Sequence, residues 1–343
     1  MAILINAYCT DRDPAPLDFP HELKSRRDRN DPDLAQHLEG FVGYVLSRGN
    51  GEMTKVRYHV VAHIKRAQHQ FSLDVEEADL DAFSRWAWAA NAICFLPDGT
   101  VADPSGVPLV DPTTGEPHEG AELPYPADAR ARREATTQRL RTMGVRVARS
   151  LPPVVGEREV RLRSAPDVAR RALALFVVAV RAESLAGDEG PIPVDDLRTR
   201  FPLALPALSP REAAFLENAT PDRQDVVNAT WRYEALQVLE WALGLVDELP
   251  FPDRICDVPR VARVIIDADH VRLADHTWLR PSGEVLDALD EHYRLHWAVR
   301  QAKLDGASEP ANLEPGVVAE RHHALNWLVR FEDADWDDVD TPT

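Results

Sequence analysis

Apolar residues change their spacing along the 343-residue chain, and the changes mark out its elements. Near the N-terminus AILINAYC is an apolar run of strand length, and QFSLDV alternates with the period of two expected of a strand. Between them Leu34, Leu38, Phe41, Val42 and Val45 recur at helical spacing behind a capping Asn30 or Asp31, and Gly49, Asn50 and Gly51 break the run. MTKVRYHVVAHIKRA reads as a second helix, and EADLDAFSRWAWAAN as a third with Leu80, Phe83, Trp86 and Ala87 inward. In AICFLPDGTVADPSGVPLV the PDG and DPSG turn signals separate three short strands. Residues 1–110 therefore predict a small α/β domain, a mixed sheet covered by helices.

Residues 111–126, DPTTGEPHEGAELPYP, are rich in Pro, Gly and acid and carry no apolar period, which predicts a linker. Residues 127–343 then read as a mainly helical domain, so the fold class is α+β. A helix is expected over Ala127 to Met143 with Gly144 as its stop, followed by the extended LPPVVGEREVRLRS. Ser164, with Pro166 in the first turn and Asp167 three residues on, caps DVARRALALFVVAVRAESL, which is apolar almost all round and belongs at the centre of a core. SPREAAFLEN starts a short helix at Ser209, and WRYEALQVLEWALG a longer one. The prolines of ELPFPDRICDVP exclude regular structure, and VARVIIDAD fits a strand or a helix. Two long helices, Gly283–Leu304 and Pro315–Phe331, precede the acidic tail EDADWDDVDTPT. A Trp among aspartates predicts that Trp336 pins this tail to the body.

Candidate chemistry lies where charges interrupt apolar arcs. In WRYEALQVLEWALG, Trp231, Leu236, Val238, Leu239 and Trp241 lie on a broad apolar arc, with Tyr233, Gln237, Glu240 and Gly244 opposite. Arg232 and Glu234 fall inside the arc, about 160° apart, so they cannot pair with each other and each needs a partner from another element. On Gly283–Leu304 the buried arc contains His292 and His296, one turn apart; on Pro315–Phe331 it contains Glu320 and Arg321. One reading is structural: Arg232 meets Glu320, Arg321 meets Glu234, and the histidines bond to main chain or carboxylates. The other is a pocket in which Arg232, Glu234, His292, His296, Glu320 and Arg321 converge, the carboxylates and histidines supplying acid–base chemistry and the arginines clamping anions. His292 and His296 at i, i+4, and Glu320 with His323 at Glu-x-x-His spacing, also suit a metal ion, although His323 projects to the polar side and the carboxylates are too few for a di-iron bundle.

Composition narrows the function classes. The net charge of −18 argues against nucleic acid or an anionic membrane as partner, and the basic stretch ARARREATTQRLR reads as a solvated helix face. The longest apolar run, Ala172 to Val180, is too short to span a bilayer, and MAILINAYCTDRD lacks the basic start of a signal peptide. Cys9, Cys94 and Cys256 form no CxxC pair, which fits small buried thiols in a reducing cytoplasm. No nucleophile elbow, dinucleotide fingerprint or phosphate loop is present, so no cofactor and no metal is assigned.

RLRSAPDVARRALAL, QDVVNATWRYEALQVLEWALGLVDELPFPDRICDV, HYRLHWAVRQAKLDG and GVVAERHHALNWLVRF resemble the bacterial family called domain of unknown function 4272, over roughly residues 135–343. The resemblance implies a mainly helical domain of a bacterial cytoplasmic protein and brings no catalytic residues. Its motif includes Arg232, Glu234, His296, Glu320 and Arg321. Together these features lead to the expectation of a non-enzymatic binding protein, of the immunity or regulatory kind, with a protein partner. The alternative is an enzyme with an acid–base or metal-assisted pocket between the C-terminal helices.

Overall fold

The computed structural model describes residues 1–188, 190–275 and 278–343. Two compact units emerge, Met1–Arg130 with Val155–Glu159, and Ala131–Val154 with Val160–Thr343.

The first unit contains β1 (Ala2–Cys9), β2 (Glu22–Asp28), α1 (Pro32–Leu46), α2 (Lys55–Arg66), β3 (His69–Glu76), α3 (Leu80–Ala89), β4 (Ala92–Phe95), β5 (Val101–Ala102) and β6 (Pro108–Val110). The strands form one sheet in the order β2-β3-β1-β4-β5-β6. All its pairings are antiparallel, a simpler arrangement than the mixed sheet expected. β1 lies between β3 and β4 and sends side chains to two covered faces, which explains why its sequence is apolar at successive positions. Ile5, Ala7 and Cys9 join Phe83, Trp86 and Ala87 of α3 in one core cluster. Tyr8 joins Leu34, Leu38 and Phe41 of α1 and Val60 and Ile64 of α2 in the other. Asp31 caps α1 by accepting from the Asp33 N–H, with Pro32 in the first turn, as the sequence predicts.

β2 escapes the sequence reading because ELKSRRD is an edge strand with most of its side chains exposed. An edge needs no alternating apolar face, and charged residues there discourage unwanted pairing. Residues 111–126 contain no helix or strand. Ala121 and Leu123 nevertheless pack against the α1/α2 core, and Asp103 accepts from the Glu122 N–H at 3.1 Å. The short Val155–Glu159 segment is tied into the same unit by Glu159, which accepts from the Gly156 N–H at 2.6 Å and from Asn91 Nδ2 at 3.1 Å.

In chain order the remaining helices are α4 (Ala127–Thr142), α5 (Ala165–Ala186), α6 (Val194–Arg200), α7 (Pro210–Glu217), α8 (Arg223–Thr230), α9 (Arg232–Ala242), α10 (Val258–Ile266), α11 (His270–Ala274), α12 (Ser282–Leu304) and α13 (Pro315–Leu328). α5 is the axis of the second unit: every residue from Ala172 to Ala179 is buried. Ser164 caps it by accepting from the Asp167 N–H at 3.3 Å. Ser209 and Glu212 form a reciprocal capping box at α7. VARVIIDAD resolves as the helix α10, capped by Asp257. α13 stops at Leu328 because Arg330 adopts a left-handed φ of 57°, three residues earlier than the apolar pattern suggests. Among the described residues no helix is long and apolar enough to cross a membrane.

Candidate functional site

α9 packs on both α5 and α13, and α12 packs on α13. This stacking decides which polar side chains meet. α9 ends in a left-handed turn at Gly244, φ 70°, where the Leu245 N–H bonds to Glu240 O and the Gly244 N–H to Trp241 O. A side chain at 244 would collide with the Trp278 ring, so both the turn and the close approach require glycine.

Both expected cross-helix ion pairs form. Arg232 Nη1 on α9 donates to Glu320 Oε2 on α13 at 2.7 Å, and both side chains remain about a quarter exposed. Burial raises the Glu320 carboxyl against the opposing influence of Arg232. Glu234 and Arg321 are fully buried. Arg321 Nε and Nη2 both approach Glu234 Oε2, at 3.0 and 2.9 Å. Arg321 Nη1 also donates to Pro250 O at 2.6 Å, and Nη2 to Gln237 Oε1 at 2.8 Å. The second Glu234 oxygen accepts from the Cys256 N–H at 2.6 Å. Glu234 and Arg321 thus join α9 and α13 to the irregular segment that carries Pro250 and Cys256. The Cys256 thiol beside this carboxylate is held well above its ordinary range by burial and by Glu234, and is unsuited to be a nucleophile.

The histidines form a second group rather than completing the first. His292 Nδ1 lies 2.8 Å from Ala288 O; a carbonyl only accepts, so the proton is on Nδ1 and the Nε2 lone pair is free. Among the described residues that buried Nε2 has no hydrogen-bond partner. His296 Nδ1 meets His322 Nδ1 at 2.9 Å, with the rings edge-on at 5.2 Å. One ring must donate and the other accept, so both can be neutral. Burial is the first cause that lowers all of these groups: His292 to about 3, His296 to about 4, and His322 well below its ordinary value. His323 stacks edge-on against the Trp336 ring at 4.7 Å. Among the described residues no three His, Cys, Asp or Glu side chains are grouped to hold a metal ion.

A cleft of about 280 Å³ opens beside His292, walled by Trp241 of α9, Arg139 of α4 and Glu284, Asp287 and Glu291 of α12. Its acids are matched by arginines: Glu284 by Arg280 at 3.0 Å, Asp287 by Arg132 at 2.8 Å and Glu291 by Arg139 at 2.8 Å. Burial raises the Glu291 carboxyl in spite of Arg139.

Three features lie outside the sequence reading. Asp290 and Arg294 form a fully buried ion pair at 2.6 Å on α12, readable in principle as an acid four residues before a base. His322 partners His296, and only the α12–α13 packing reveals it. Glu240 falls on the polar side of its helix in projection, but the structure buries it completely, because α5 covers that face. Tyr233, two turns away on the same side, donates to Glu183 of α5 at 2.7 Å. Both Glu240 oxygens lack partners among the described residues, and burial raises the carboxyl to about 9.

The sequence pattern of a domain of unknown function, DUF4272, matches residues 132–339. Neither a curated protein nor a solved structure matches the chain.

Proposed function

The chain belongs to the DUF4272 family, and from the polar geometry of its helical unit we propose that it is a binding protein, with its partner met at the acidic surface. The observation that carries this reading is the closure of Glu234 and Arg321. Both carboxylate oxygens and all the terminal nitrogens of the guanidinium are engaged by the protein itself. Residues so committed fix α9 against α13 and supply a rigid frame. With a net charge of −18, that frame suits a basic protein partner steered by long-range attraction. A bacterial cytoplasm, where the thiols stay reduced, is the compartment this reading carries with it.

Affinity capture from the native host, with cross-linking, tests it. A stoichiometric basic protein should be retained at low salt and lost as ionic strength rises from about 0.05 to 0.5 M. Recovery of no stoichiometric protein at low salt overturns the reading.

One observation favours an acid–base enzyme as a second reading: the cleft beside His292 holds Glu291 with its carboxyl raised. Complementation of a deletion strain separates the two. An enzyme requires Glu291→Gln to lose function with the fold intact, whereas full complementation by that variant removes this reading.

A further inference from the structure

A groove of about 520 Å³ in the first unit has the composition of a ligand site. One wall is a single face of α1, where Gln36, His37, Gly40, Phe41 and Tyr44 recur at helical spacing. The floor comes from the sheet. Arg27 of β2 pairs in register with Gln70 of β3, and Gln70 with Tyr8 of β1, so the three side chains form a row on one face. Gln70 Oε1 accepts from Arg27 Nη1 at 2.8 Å, and Asn6 Oδ1 accepts from Gln70 Nε2 at 3.1 Å, which holds the guanidinium in place. Among the described residues no carboxylate lies within ion-pair distance of Arg27, whose side-chain partner is the neutral Gln70 amide. Asp33, the acidic residue of the lining, is exposed at the rim.

The rest of the lining is aromatic. Tyr8 and Phe41 lie 4.4 Å apart, Phe41 and Phe95 5.4 Å, and Tyr44 and Phe95 5.1 Å. His37 stacks on Tyr8 and shares a 2.8 Å hydrogen bond with its hydroxyl; burial, then Arg27, lowers the His37 pKa. Gly40 shapes the α1 wall. Glycine is the poorest helix former after proline, yet it stands inside α1 without a left-handed φ, and a Cβ there would meet nothing within 4 Å. Its missing side chain leaves that part of the wall open, as the equally unobstructed Gly43 does outside the lining.

We propose that this groove binds a small planar aromatic ring carrying an anionic group, the ring against the part-exposed His37, Tyr44 and Phe95 beside Gly40, over a floor closed by the buried Tyr8 and Phe41, and the anion on Arg27. The chemistry is shared by nucleoside monophosphates and aromatic carboxylates, and a fixed guanidinium suits either oxyanion.

Calorimetric titration of the full chain with adenosine 5′-monophosphate, 4-hydroxybenzoate, adenosine and inorganic phosphate tests the proposal. At least one of the two aromatic anions should bind saturably with Kd below about 1 mM, and adenosine and phosphate at least about tenfold more weakly. Preference between the two anions tells phosphate from carboxylate. Arg27→Gln should weaken the binding about tenfold or more. Gly40→Leu should abolish it, while Gly40→Ala keeps the helical circular dichroism and the binding. Saturation by neither anion overturns the proposal, as does equal binding of adenosine, or an affinity indifferent to both Arg27→Gln and Gly40→Leu.

Discussion

Arg321 and Glu234 face each other across the α9–α13 interface, with two guanidinium nitrogens 3.0 and 2.9 Å from one carboxylate oxygen and neither residue open to solvent. Such a pair contributes little net stability relative to apolar residues, because desolvating two charges offsets much of their attraction. It does make the interface intolerant of losing one member. The lone charge left behind would be buried among groups chosen to complement its partner.

Arg321→Met should therefore lower unfolding stability by about 3–5 kcal/mol, and Glu234→Gln by a similar amount. Combining the two removes both charges, while the new side-chain amide still offers an oxygen to the Cys256 N–H. The double variant should lose clearly less than the sum of the single losses, a coupling on the order of 1–3 kcal/mol. Urea unfolding of the four proteins in a double-mutant cycle measures it, and strict additivity would show that the contact is energetically empty.

Glu240 predicts a pH dependence of the opposite sign from ordinary acid denaturation. Its folded pKa is raised from 4.5 to about 9 by burial. The unfolded chain therefore holds fewer protons than the folded one across that window, and stability falls as pH rises through it. Below the window the carboxyl is protonated in both states and costs nothing by ionisation. Glu240→Gln keeps the shape and removes the titration, so it should be more stable than the parent at pH 8 by on the order of 1–3 kcal/mol. The gap should shrink toward zero near pH 4.5. Thermal melts of both proteins across this range check it; a constant difference at all pH values sinks the assignment.

The two ion pairs and Glu240 differ in how far the sequence makes them legible. The projection of WRYEALQVLEWALG isolates Arg232 and Glu234 because charges inside an apolar arc must find partners elsewhere, and α13 offers the complementary Glu320 and Arg321. Glu240 sits in the same helix but on the arc that a one-faced projection assigns to water. Whether a second helix covers that face is a tertiary fact, and nothing local in the sequence encodes the approach of α5. The same limit hides His322, whose neighbour His323 has similar local surroundings yet packs on Trp336. β2 is invisible for the reverse reason, since an exposed edge strand obeys no burial pattern. The α1 and α5 caps, the turn glycines and the buried character of α5 are all legible, because each is enforced by bonding or patterning within a few residues.

The histidines of α12 and α13 oppose Glu240. His292 is lowered to about 3, His296 to about 4 and His322 well below its ordinary value, with burial as the first cause in each. For a base lowered on folding, the unfolded state takes up the proton first. Stability is then complete above the unfolded value of 6.5 and is lost as pH falls from there toward the folded values. The two contributions therefore slope in opposite directions, the histidines adding stability as pH rises toward 6.5 and Glu240 removing it as pH rises above 4.5. Double replacement His296→Gln and His322→Gln should flatten the loss between about pH 6.5 and 4, whatever it does to stability at pH 7. Melting temperatures at half-unit intervals decide the matter, and an unchanged acid limb would reassign it to other groups.

Trp336 anchors the C-terminal tail, which sets its role apart from the aspartates around it. Its ring is buried against Trp327 at 5.4 Å and His323 at 4.7 Å, and the Arg171 guanidinium lies over it at 4.4 Å. Arg171 is itself buried and ion-paired to Glu212 in the capping box of α7. The tail is further held where Asp337 accepts from the Arg211 N–H at 2.9 Å and Asn326 Nδ2 donates to Asp340 O at 2.9 Å. Trp336→Ala removes the aromatic area and the cation–π contact together, and should cost about 3–5 kcal/mol. Trp336→Phe, which preserves a ring over which Arg171 can lie, should recover most of it. Deuterium exchange should show the loss of protection starting in the last residues of the tail and reaching the α7 cap. Equal protection in Trp336→Ala and the parent would mean that the hydrogen bonds of Asp337 and Asp340 hold the tail without the ring.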